Sequence, residues 1–229
     1  MNSKERTLNN NLIILEKGLV IESFGNASSR DDDIFYIKPS GVNLMKMKST
    51  HMVSVRIHDG KYLGKMQPSS DTPTHLELYK KFPEIGGIVH THSVYATAWA
   101  QAVKPIPCLG TTHADYWHGE VPTTRELSDK EINGAYEKET GKVIIETLNN
   151  LNFDPLDCPG ILVACHGSFT WGKTIEDAVK HAELLECIAR MAWMTKSINP
   201  GIDPLSESLL DRHFYRKHGP DAYYGQKSE

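Results

Sequence analysis

Short apolar runs with the composition of β-strands alternate with helical segments along this chain of 229 residues. The strand-like runs lie at Ile34–Ile37, Met52–Ile57, Ile88-Val89 and Ile161–Cys165. The clearest helix is Glu176–Lys196, in which alanine and leucine recur at helical spacing. Because such elements must bury their apolar faces against one another, the alternation predicts a layered α/β fold. The pattern leaves the order of the strands open.

Three further segments have helical character. Leucines recur at helical spacing between Leu8 and Leu19, which predicts an amphipathic first helix. A second helix is predicted from Thr72-Pro73 to Phe82, with Asp71 or Thr72 as its N-cap residue. The alanine-rich segment Val94–Val103 predicts a third helix.

The composition argues against several classes of function. Hydrophobic residues make up 39% of the chain, which is enough for one globular domain spanning residues 1–229. The formal net charge of -4 argues against non-specific binding of nucleic acid. No apolar run approaches the roughly eighteen residues of a membrane span, and the polar N-terminus resembles no secretory signal. The four cysteines form no CxxC pair, which favours reduced thiols in a cytoplasmic protein.

Histidines follow two of the predicted strands at the point where each strand ends. His90 and His92 are separated by one residue, and side chains two positions apart project from the same face of a strand. His166 has a similar place after Ile161–Cys165. Three neutral imidazoles suit a divalent ion and leave one coordination position open for a substrate. Asp71 offers a hard oxygen as a further ligand.

Three short segments contain groups that bind phosphate. Asn26 lies in a predicted loop at Phe24–Ser28, Lys38–Gly41 follows a predicted strand, and Ser69-Ser70 precedes a predicted helix. Free backbone amides, small hydroxyls and a lysine are the donors that a phosphate needs. Each segment by itself is also typical of an ordinary turn, and an HxH pair by itself is often only solvated. The residues alone therefore leave both interpretations open.

Longer motifs resemble those of the class II aldolase/epimerase family, in family order over nearly the whole chain. These motifs are GNAS (Gly25–Ser28), IKPSG (Ile37–Gly41), PSSDTPTH (Pro68–His75), GGIVHTHS (Gly86–Ser93), GTTHADYW (Gly110–Trp117), EINGAYEKETG (Glu131–Gly141), HGSFTWGK (His166–Lys173), LLDRHFYRKHG (Leu209–Gly219) and AYYGQ (Ala222–Gln226). The resemblance implies a three-layer α/β/α fold around a central, mainly antiparallel sheet.

The resemblance also implies roles for individual residues. The implied ligands of a zinc ion, or of another divalent ion, are Asp71, His90, His92 and His166. The implied contacts to phosphate and substrate are Gly25, Asn26, Lys38, Ser40, Gly41, Ser69 and Ser70. Asp115 and Tyr224 match the family's two acid/base residues, and Thr111, Glu137 and His213 match secondary active-site residues. A homotetramer is implied as well, with active sites between subunits and with Asp115 and Tyr224 contributed across the interface.

The implied reaction converts L-ribulose 5-phosphate to D-xylulose 5-phosphate, which differs from it only at C4. That carbon is not adjacent to the carbonyl, so removal of a proton cannot invert it. Retro-aldol cleavage of the C3–C4 bond, rotation of the aldehyde fragment and re-addition do invert C4. A metal ion stabilises the developing negative charge, and the rotation calls for an acid/base group on each side of the aldehyde.

Other functions on the same fold stay open. A class II aldolase would release both fragments, but aldolases of the family have a glutamate where Asp71 stands. A metal-dependent dehydratase is a second alternative. A non-catalytic binding scaffold is a third, although it would have no need of His90, His92 and His166. Enzymes of arabinose and of ascorbate breakdown share these motifs, so the sequence leaves the pathway open.

Overall fold

The computed structural model describes residues 2–21 and 24–225. Its strands form one seven-stranded sheet in the order β4-β3-β2-β1-β5-β7-β6, and all neighbouring pairs are antiparallel. The strands are β1 (Asn26–Asp31), β2 (Ile34–Ile37), β3 (Val53–Arg56), β4 (Tyr62–Leu63), β5 (Gly87–Thr91), β6 (Gly160–Val163) and β7 (Gly167–Gly172). The prediction of a central antiparallel sheet is confirmed.

The helices vary from single turns to more than six turns. They are α1 (Ser3–Glu16), α2 (Thr72–Lys81), α3 (Val94–Gln101), α4 (Thr111–Ala114), α5 (Asp129–Ile132), α6 (Tyr136–Asn150), α7 (Ile175–Ile198) and α8 (Glu207–Tyr215). Two 3-10 turns lie between β2 and β3, at Leu44–Lys46 and Ser49–His51. The longest helix, α7, begins where Thr174 and Asp177 form a capping box.

Helices cover both faces of the sheet. On one face, Ala27 and Val89 pack in an apolar cluster with residues of α1 and α7. On the other face, Ser28 Oγ lies 2.7 Å from Nδ1 of His75 and 2.8 Å from the hydroxyl of Tyr79, both on α2. Helix α6 packs against α2 on that side. The predicted three-layer α/β/α arrangement is therefore confirmed.

Helix α1 docks on the sheet mainly through polar side chains. Its fully buried residues are Thr7, Asn10, Asn11 and Ile14, whereas the leucines of the predicted stripe are at most partly buried within the helix. The Asn11 amide donates to the carbonyl of Ala27 and accepts from its N–H, both at 2.9 Å. The helix was correctly predicted, but its apolar stripe does not mark its most buried face.

Seven of the strands and α-helices have no counterpart among the predictions: β1, β4, β7, α4, α5, α6 and α8. Asn26, expected in a loop, is the first residue of β1. Among the residues that the structure describes, no helix is both long enough and apolar enough to cross a bilayer. All four cysteines are free; Cys108 and Cys158 are buried, and Cys165 and Cys187 are exposed.

Candidate active site

The three predicted histidine ligands meet at one end of the sheet. His90 is on β5 and His92 follows that strand directly, while His166 lies in the three-residue loop of the β6–β7 hairpin. One ring nitrogen from each histidine lies within 4.8 Å of the other two. The Nε2 atoms of His90 and His92 are 3.0 Å apart. His166 was expected at the end of a longer strand, but it is the hairpin turn that brings it to the pair.

The backbone of this hairpin explains how it approaches β5 so closely. Cys165 has a φ of 60°, in the left-handed region, which turns the chain just before His166. A Cβ atom on Gly167 would lie 2.7 Å from the carbonyl oxygen of Thr91 and 3.4 Å from Cε1 of His90. Only glycine therefore lets the loop pack against the end of β5. Any side chain there would move His166 away from the other imidazoles.

Contacts behind the rings fix the orientation of the imidazoles. Nδ1 of His90 donates a hydrogen bond to the carbonyl oxygen of Ser168 at 2.9 Å, so its Nε2 keeps a lone pair for a ligand. The same ring stacks on Phe169 with centroids 4.2 Å apart. On the opposite side, Nδ1 of His166 lies 3.5 Å from the hydroxyl of Tyr136. These contacts direct the other nitrogens toward a common centre.

Burial favours the neutral form of His92 and His166. It lowers the pKa of His166 to about 4, with further lowering from His90 and His92. It also lowers the pKa of His92. In a tetrahedral zinc site with Zn–N bonds of about 2.0–2.1 Å, two nitrogen ligands lie about 3.3 Å apart. The donor set, its protonation and the 3.0 Å separation of His90 and His92 therefore fit a divalent ion.

Asp71 lies beside the imidazoles, at the N-cap position of α2. Its side chain makes no capping hydrogen bond, and its Oδ2 instead accepts one from Nδ2 of Asn26 at 2.6 Å. Burial of Asp71 opposes ionisation, but the neighbouring histidines, His90 foremost, and the Asn26 amide outweigh it and hold the pKa of Asp71 below its usual value. The group of nitrogens within 4.8 Å consists of the three histidines and does not include this carboxylate.

The histidines and Asp71 line an open cleft with a volume of about 380 Å³. The other residues that line it are Phe24, Gly25, Asn26, Lys38, Ser40, Gly41, Ser69, Ser70, Tyr136 and Glu137. The cleft thus brings together every predicted metal ligand, every predicted phosphate or substrate contact, and Glu137. Phe24 and Tyr136 were not predicted. The sequence signal for Tyr136 is its place directly before Glu137 in the motif Glu131–Gly141.

Backbone hydrogen bonds hold the phosphate-binding segments side by side. Ser69 N–H donates to the carbonyl of Lys38 at 2.9 Å, and Ser40 N–H donates to that of Gln67 at 3.0 Å. Gly25 has a φ of +96°, and a Cβ there would lie 2.8 Å from the carbonyl oxygen of His90. This glycine therefore lets the start of β1 approach β5 at the metal ligands.

Two polar side chains in this part of the cleft are almost fully buried. Lys38 is 3% exposed, and burial lowers its pKa while Asp71 opposes that shift. Oδ1 of Asn26 is also buried and, within the described ranges, has no hydrogen-bond partner. A cation and an acceptor in these positions suit a ligand that carries both a negative group and hydroxyls.

The remaining predicted residues, Thr111, Asp115, His213 and Tyr224, are not among those that line the cleft. Asp115 follows α4, and its N–H donates to the carbonyl of Thr111 at 3.0 Å. Its Oδ1 accepts hydrogen bonds from Nδ1 of His213 and Nε of Arg216, both at 3.0 Å. Its Oδ2 accepts from Nη2 of Arg216 at 2.7 Å and lies 3.1 Å from Nζ of Lys217.

This second group, called here the Asp115 cluster, consists of Asp115, His213, Arg216, Lys217 and Tyr224. Burial of Asp115 opposes its ionisation, but the hydrogen bonds from Arg216, His213 and Lys217 hold the pKa of Asp115 below its usual value. Sequence reasoning did not assign a role to Arg216 or Lys217. Both lie in the motif Leu209–Gly219, which was the available signal.

The C-terminal tail is attached to the Asp115 cluster. The N–H groups of Tyr223 and Tyr224 both donate to the carbonyl of Arg216, at 3.0 and 2.9 Å. The Tyr224 ring lies 4.9 Å from the guanidinium of Arg216 and 4.5 Å from Nζ of Lys217. The tail up to Gly225 therefore does not have the frayed form that its position near the end of the chain would suggest. Gln226, the last residue of the tail motif, lies outside the described residues.

Comparisons with known proteins agree with this fold. L-ribulose-5-phosphate 4-epimerase UlaF of Salmonella paratyphi A is 52% identical over 227 residues, which cover 98% of each chain. The solved structure of an L-fuculose 1-phosphate aldolase has a TM-score of 0.76 and 21% identity, covering 92% of this chain and 93% of its own. The L-fuculose 1-phosphate aldolase from Glaciozyma antarctica PI12 has a TM-score of 0.75 and 20% identity, and the match covers 97% of this chain and 84% of the aldolase chain. At these identities the structures show the fold alone. The model of the class II aldolase and adducin N-terminal domain matches residues 7–193, and this chain belongs to that family.

Proposed function

We propose that this protein is a metal-dependent L-ribulose-5-phosphate 4-epimerase, which converts L-ribulose 5-phosphate to D-xylulose 5-phosphate. The observation that carries the proposal is the cleft in which three imidazoles lie beside a buried lysine and a row of serines. The 52% identity over 98% of the chain to a protein named for this reaction supports the choice of substrate. We also propose a cytoplasmic location, consistent with four free cysteines.

His90, His92 and His166 would hold the divalent ion, which we propose is zinc with Asp71 as a further ligand. When bound, the ion would polarise the substrate ketone and stabilise the negative charge that develops as the C3–C4 bond breaks. Nitrogen donors in this number favour zinc over magnesium or calcium, which prefer oxygen ligands. Ser168 and Phe169 hold the ring of His90 in the orientation that this role requires.

The segments that contain Lys38, Ser40, Ser69 and Ser70 bind the phosphate. Cleavage leaves glycolaldehyde phosphate with no covalent bond to the rest of the substrate, so non-covalent contacts alone retain it while it rotates. The ammonium group of Lys38 is buried at the cleft and has lost much of its hydration, which strengthens its attraction for a phosphate. Asn26 Oδ1 offers an acceptor for a substrate hydroxyl.

Asp115 and Tyr224 exchange protons with the C4 oxygen on opposite sides of the rotating aldehyde. In cleavage, the C4 hydroxyl gives its proton to a base and the C3–C4 bonding electrons pass to the enediolate of dihydroxyacetone. In re-addition, those electrons form the new C3–C4 bond and the aldehyde oxygen takes a proton from an acid on the other face. The ionised carboxylate of Asp115 suits the base and the phenol of Tyr224 suits the acid.

We further propose a homotetramer in which the Asp115 cluster of one subunit completes the cleft of its neighbour. Asp115 and Tyr224 are not among the residues that line the cleft of their own chain, and in this proposal a second copy brings them to the substrate. Large apolar side chains exposed on α3 and α7 support association. They are Val94, Trp193, Met194 and Ile198, the last of which is 84% exposed.

Incubation of the purified protein with L-ribulose 5-phosphate tests the function directly. We expect D-xylulose 5-phosphate to form with little free glycolaldehyde phosphate, each followed by its own coupled assay. Accumulation of both fragments without the epimer would instead identify an aldolase. A chelator should abolish turnover and zinc should restore it. Full turnover by protein that elemental analysis shows to be metal-free would refute the metal-dependent mechanism.

A further inference from the structure

One guanidinium group contacts both side chains to which the proposed function assigns proton transfer. Nε and Nη2 of Arg216 donate to the two carboxylate oxygens of Asp115, at 3.0 and 2.7 Å. The same guanidinium lies 4.9 Å from the centre of the Tyr224 ring. In addition, the carbonyl of Arg216 accepts the N–H of Tyr224 at 2.9 Å. Arg216 thus joins a residue after α4 to a residue near the C-terminus.

We propose that Arg216 is a positioning residue for catalysis, which holds Asp115 and Tyr224 together as one unit. The inference rests on the proposed function, because it takes the proton-transfer roles of Asp115 and Tyr224 from it. Arg216 itself exchanges no proton with the substrate. It acts by fixing where the carboxylate and the phenol lie when the aldehyde turns between them.

The geometry requires an arginine and not merely a positive charge. A guanidinium is planar and binds both oxygens of a carboxylate at once, and its face also stacks on an aromatic ring. Lys217 contacts the same two residues, with Nζ 3.1 Å from Oδ2 of Asp115 and 4.5 Å from the centre of the Tyr224 ring. As a point charge on a flexible stem, Lys217 supplies attraction without orientation. Of the two cations, Arg216 therefore orients Asp115, and the hydrogen bond from His213 to Oδ1 adds to it.

Tyr224 is the residue that needs anchoring, because its side chain is 61% exposed and it lies close to the chain terminus. A side chain in that setting samples many positions unless local contacts restrict it. The backbone hydrogen bond and the ring contact to Arg216 provide such a restriction. An acid group must lie within hydrogen-bond reach of its substrate atom, so a looser tail lowers the fraction of time in which transfer occurs.

Substitution of Arg216 separates its charge from its shape. Arg216→Gln removes both, and Arg216→Lys keeps the charge but loses the planar guanidinium that binds both oxygens of the carboxylate. We expect kcat/KM to fall about 10- to 100-fold in Arg216→Gln, the usual result of a displaced catalytic group. Arg216→Lys should lie between Arg216→Gln and the wild type, and metal content should stay unchanged in both. Arg212→Gln is the matched control, because Arg212 makes the same kind of ring contact with Tyr223, at 5.3 Å. It should stay close to the wild type.

The pH profile distinguishes a positioning role from a general loss of structure. The titratable and charged groups that face the Asp115 carboxylate are His213, Arg216 and Lys217, and His218 donates to its backbone carbonyl at 2.9 Å. Without Arg216 the pKa of Asp115 rises toward its ordinary value. The acid limb of kcat/KM should then move to higher pH, by about one unit. A variant that is merely less stable would lose activity at all pH values without such a shift.

A second measurement does not depend on activity. Chymotrypsin cleaves after tyrosine, so its cleavage at Tyr223 and Tyr224 reports how often the tail leaves the Asp115 cluster. Mass spectrometry of the intact protein should show cleavage about tenfold faster in Arg216→Gln than in the wild type. Equal rates would overturn the inference, even if the wild type proved to have no epimerase activity. If Asp115→Asn is inactive but Arg216→Gln keeps the wild-type rate and pH profile, the inference fails and the proposed function stands.

Discussion

Hybrid oligomers test whether the cleft of one subunit works with the Asp115 cluster of another. His92→Asn damages the cleft and leaves the cluster intact, whereas Asp115→Asn damages the cluster and leaves the cleft intact. Each variant alone should be inactive. In a mixed oligomer, a site that joins the cleft of an Asp115→Asn subunit to the cluster of a His92→Asn subunit has no damaged part. Mixing the two variants should therefore restore activity.

The expected recovery of activity equals the fraction of sites in a mixed oligomer that have no damaged part. Each site needs a cleft from one variant and a cluster from the other. In a random one-to-one mixture with each cleft facing one neighbouring cluster, about a quarter of the sites are intact. The structure also supplies a negative control, because Arg216 holds Asp115 and Tyr224 in the same chain. A mixture of Asp115→Asn with Tyr224→Phe damages the cluster of every subunit, so it should recover nothing.

The experiment needs proof that hybrids have formed. Co-expression with two different affinity tags and sequential purification isolates oligomers that contain both variants, and native mass spectrometry gives their composition. Turnover of L-ribulose 5-phosphate is then measured per cleft and compared with the wild type and with each parent variant. Verified hybrids of His92→Asn and Asp115→Asn that stay as inactive as their parents would refute the shared site. Recovery in the Asp115→Asn and Tyr224→Phe mixture would refute their action as one unit.

Three further predictions concern binding, stability and thiol reactivity. Lys38→Met removes a buried charge, so kcat/KM should fall about ten- to a hundredfold at unchanged metal content, whereas Lys61→Met at an exposed site should change neither. The hydrogen bond from Arg6 lowers the pKa of Glu176 to about 2, so Glu176→Gln should cost about 1 kcal/mol of unfolding free energy at pH 7 after allowance for solvent screening. That contribution is fully present above the unfolded pKa of about 4.3 and is lost as pH falls toward 2; a cost in urea unfolding that is the same at pH 7 and pH 3 would contradict this. Burial raises the pKa of the Cys158 thiol to about 12, so peptide mapping should find no maleimide on Cys158 in the folded protein.

The sequence predicted those elements whose pattern is local. Strands β2, β3 and β5 and helices α2, α3 and α7 agree with the predicted segments to within a few residues, because an apolar run or a helical stripe indicates its own burial. Strand β1 was missed because its sequence, NASSRD, has no apolar alternation. Its serines are buried against partners far along the chain: Ser28 contacts His75, and Ser29 contacts Thr7. The short stretch of sequence around β1 gives no information about those distant partners.

Local sequence patterns have the same limit for the site: they do not reveal residues whose role depends on a partner far along the chain. The motifs contain most of the residues that line the cleft and the residues of the Asp115 cluster, but motif order contains no distances. It therefore did not show that the residues of the Asp115 cluster are not among those that line the cleft of the same chain. Tyr136 contacts His166 across 30 positions of sequence, and Arg216 contacts Asp115 across 101. Neither residue type has a spacing rule that would reveal such a contact. Only the tertiary structure gives them a partner.

The division of the proposed site into two parts has a chemical reason. A carboxylate that takes a proton from the substrate must come close to the metal ligands, yet a free carboxylate beside a divalent ion tends to become a ligand itself. In this chain both oxygens of Asp115 are engaged by Arg216, with His213 and Lys217 adding further contacts. A carboxylate held in this way cannot rotate to coordinate the ion without losing several charge-assisted hydrogen bonds. In the proposed mechanism, Arg216 would thereby keep Asp115 from becoming a ligand of the ion and leave the open coordination position to the substrate.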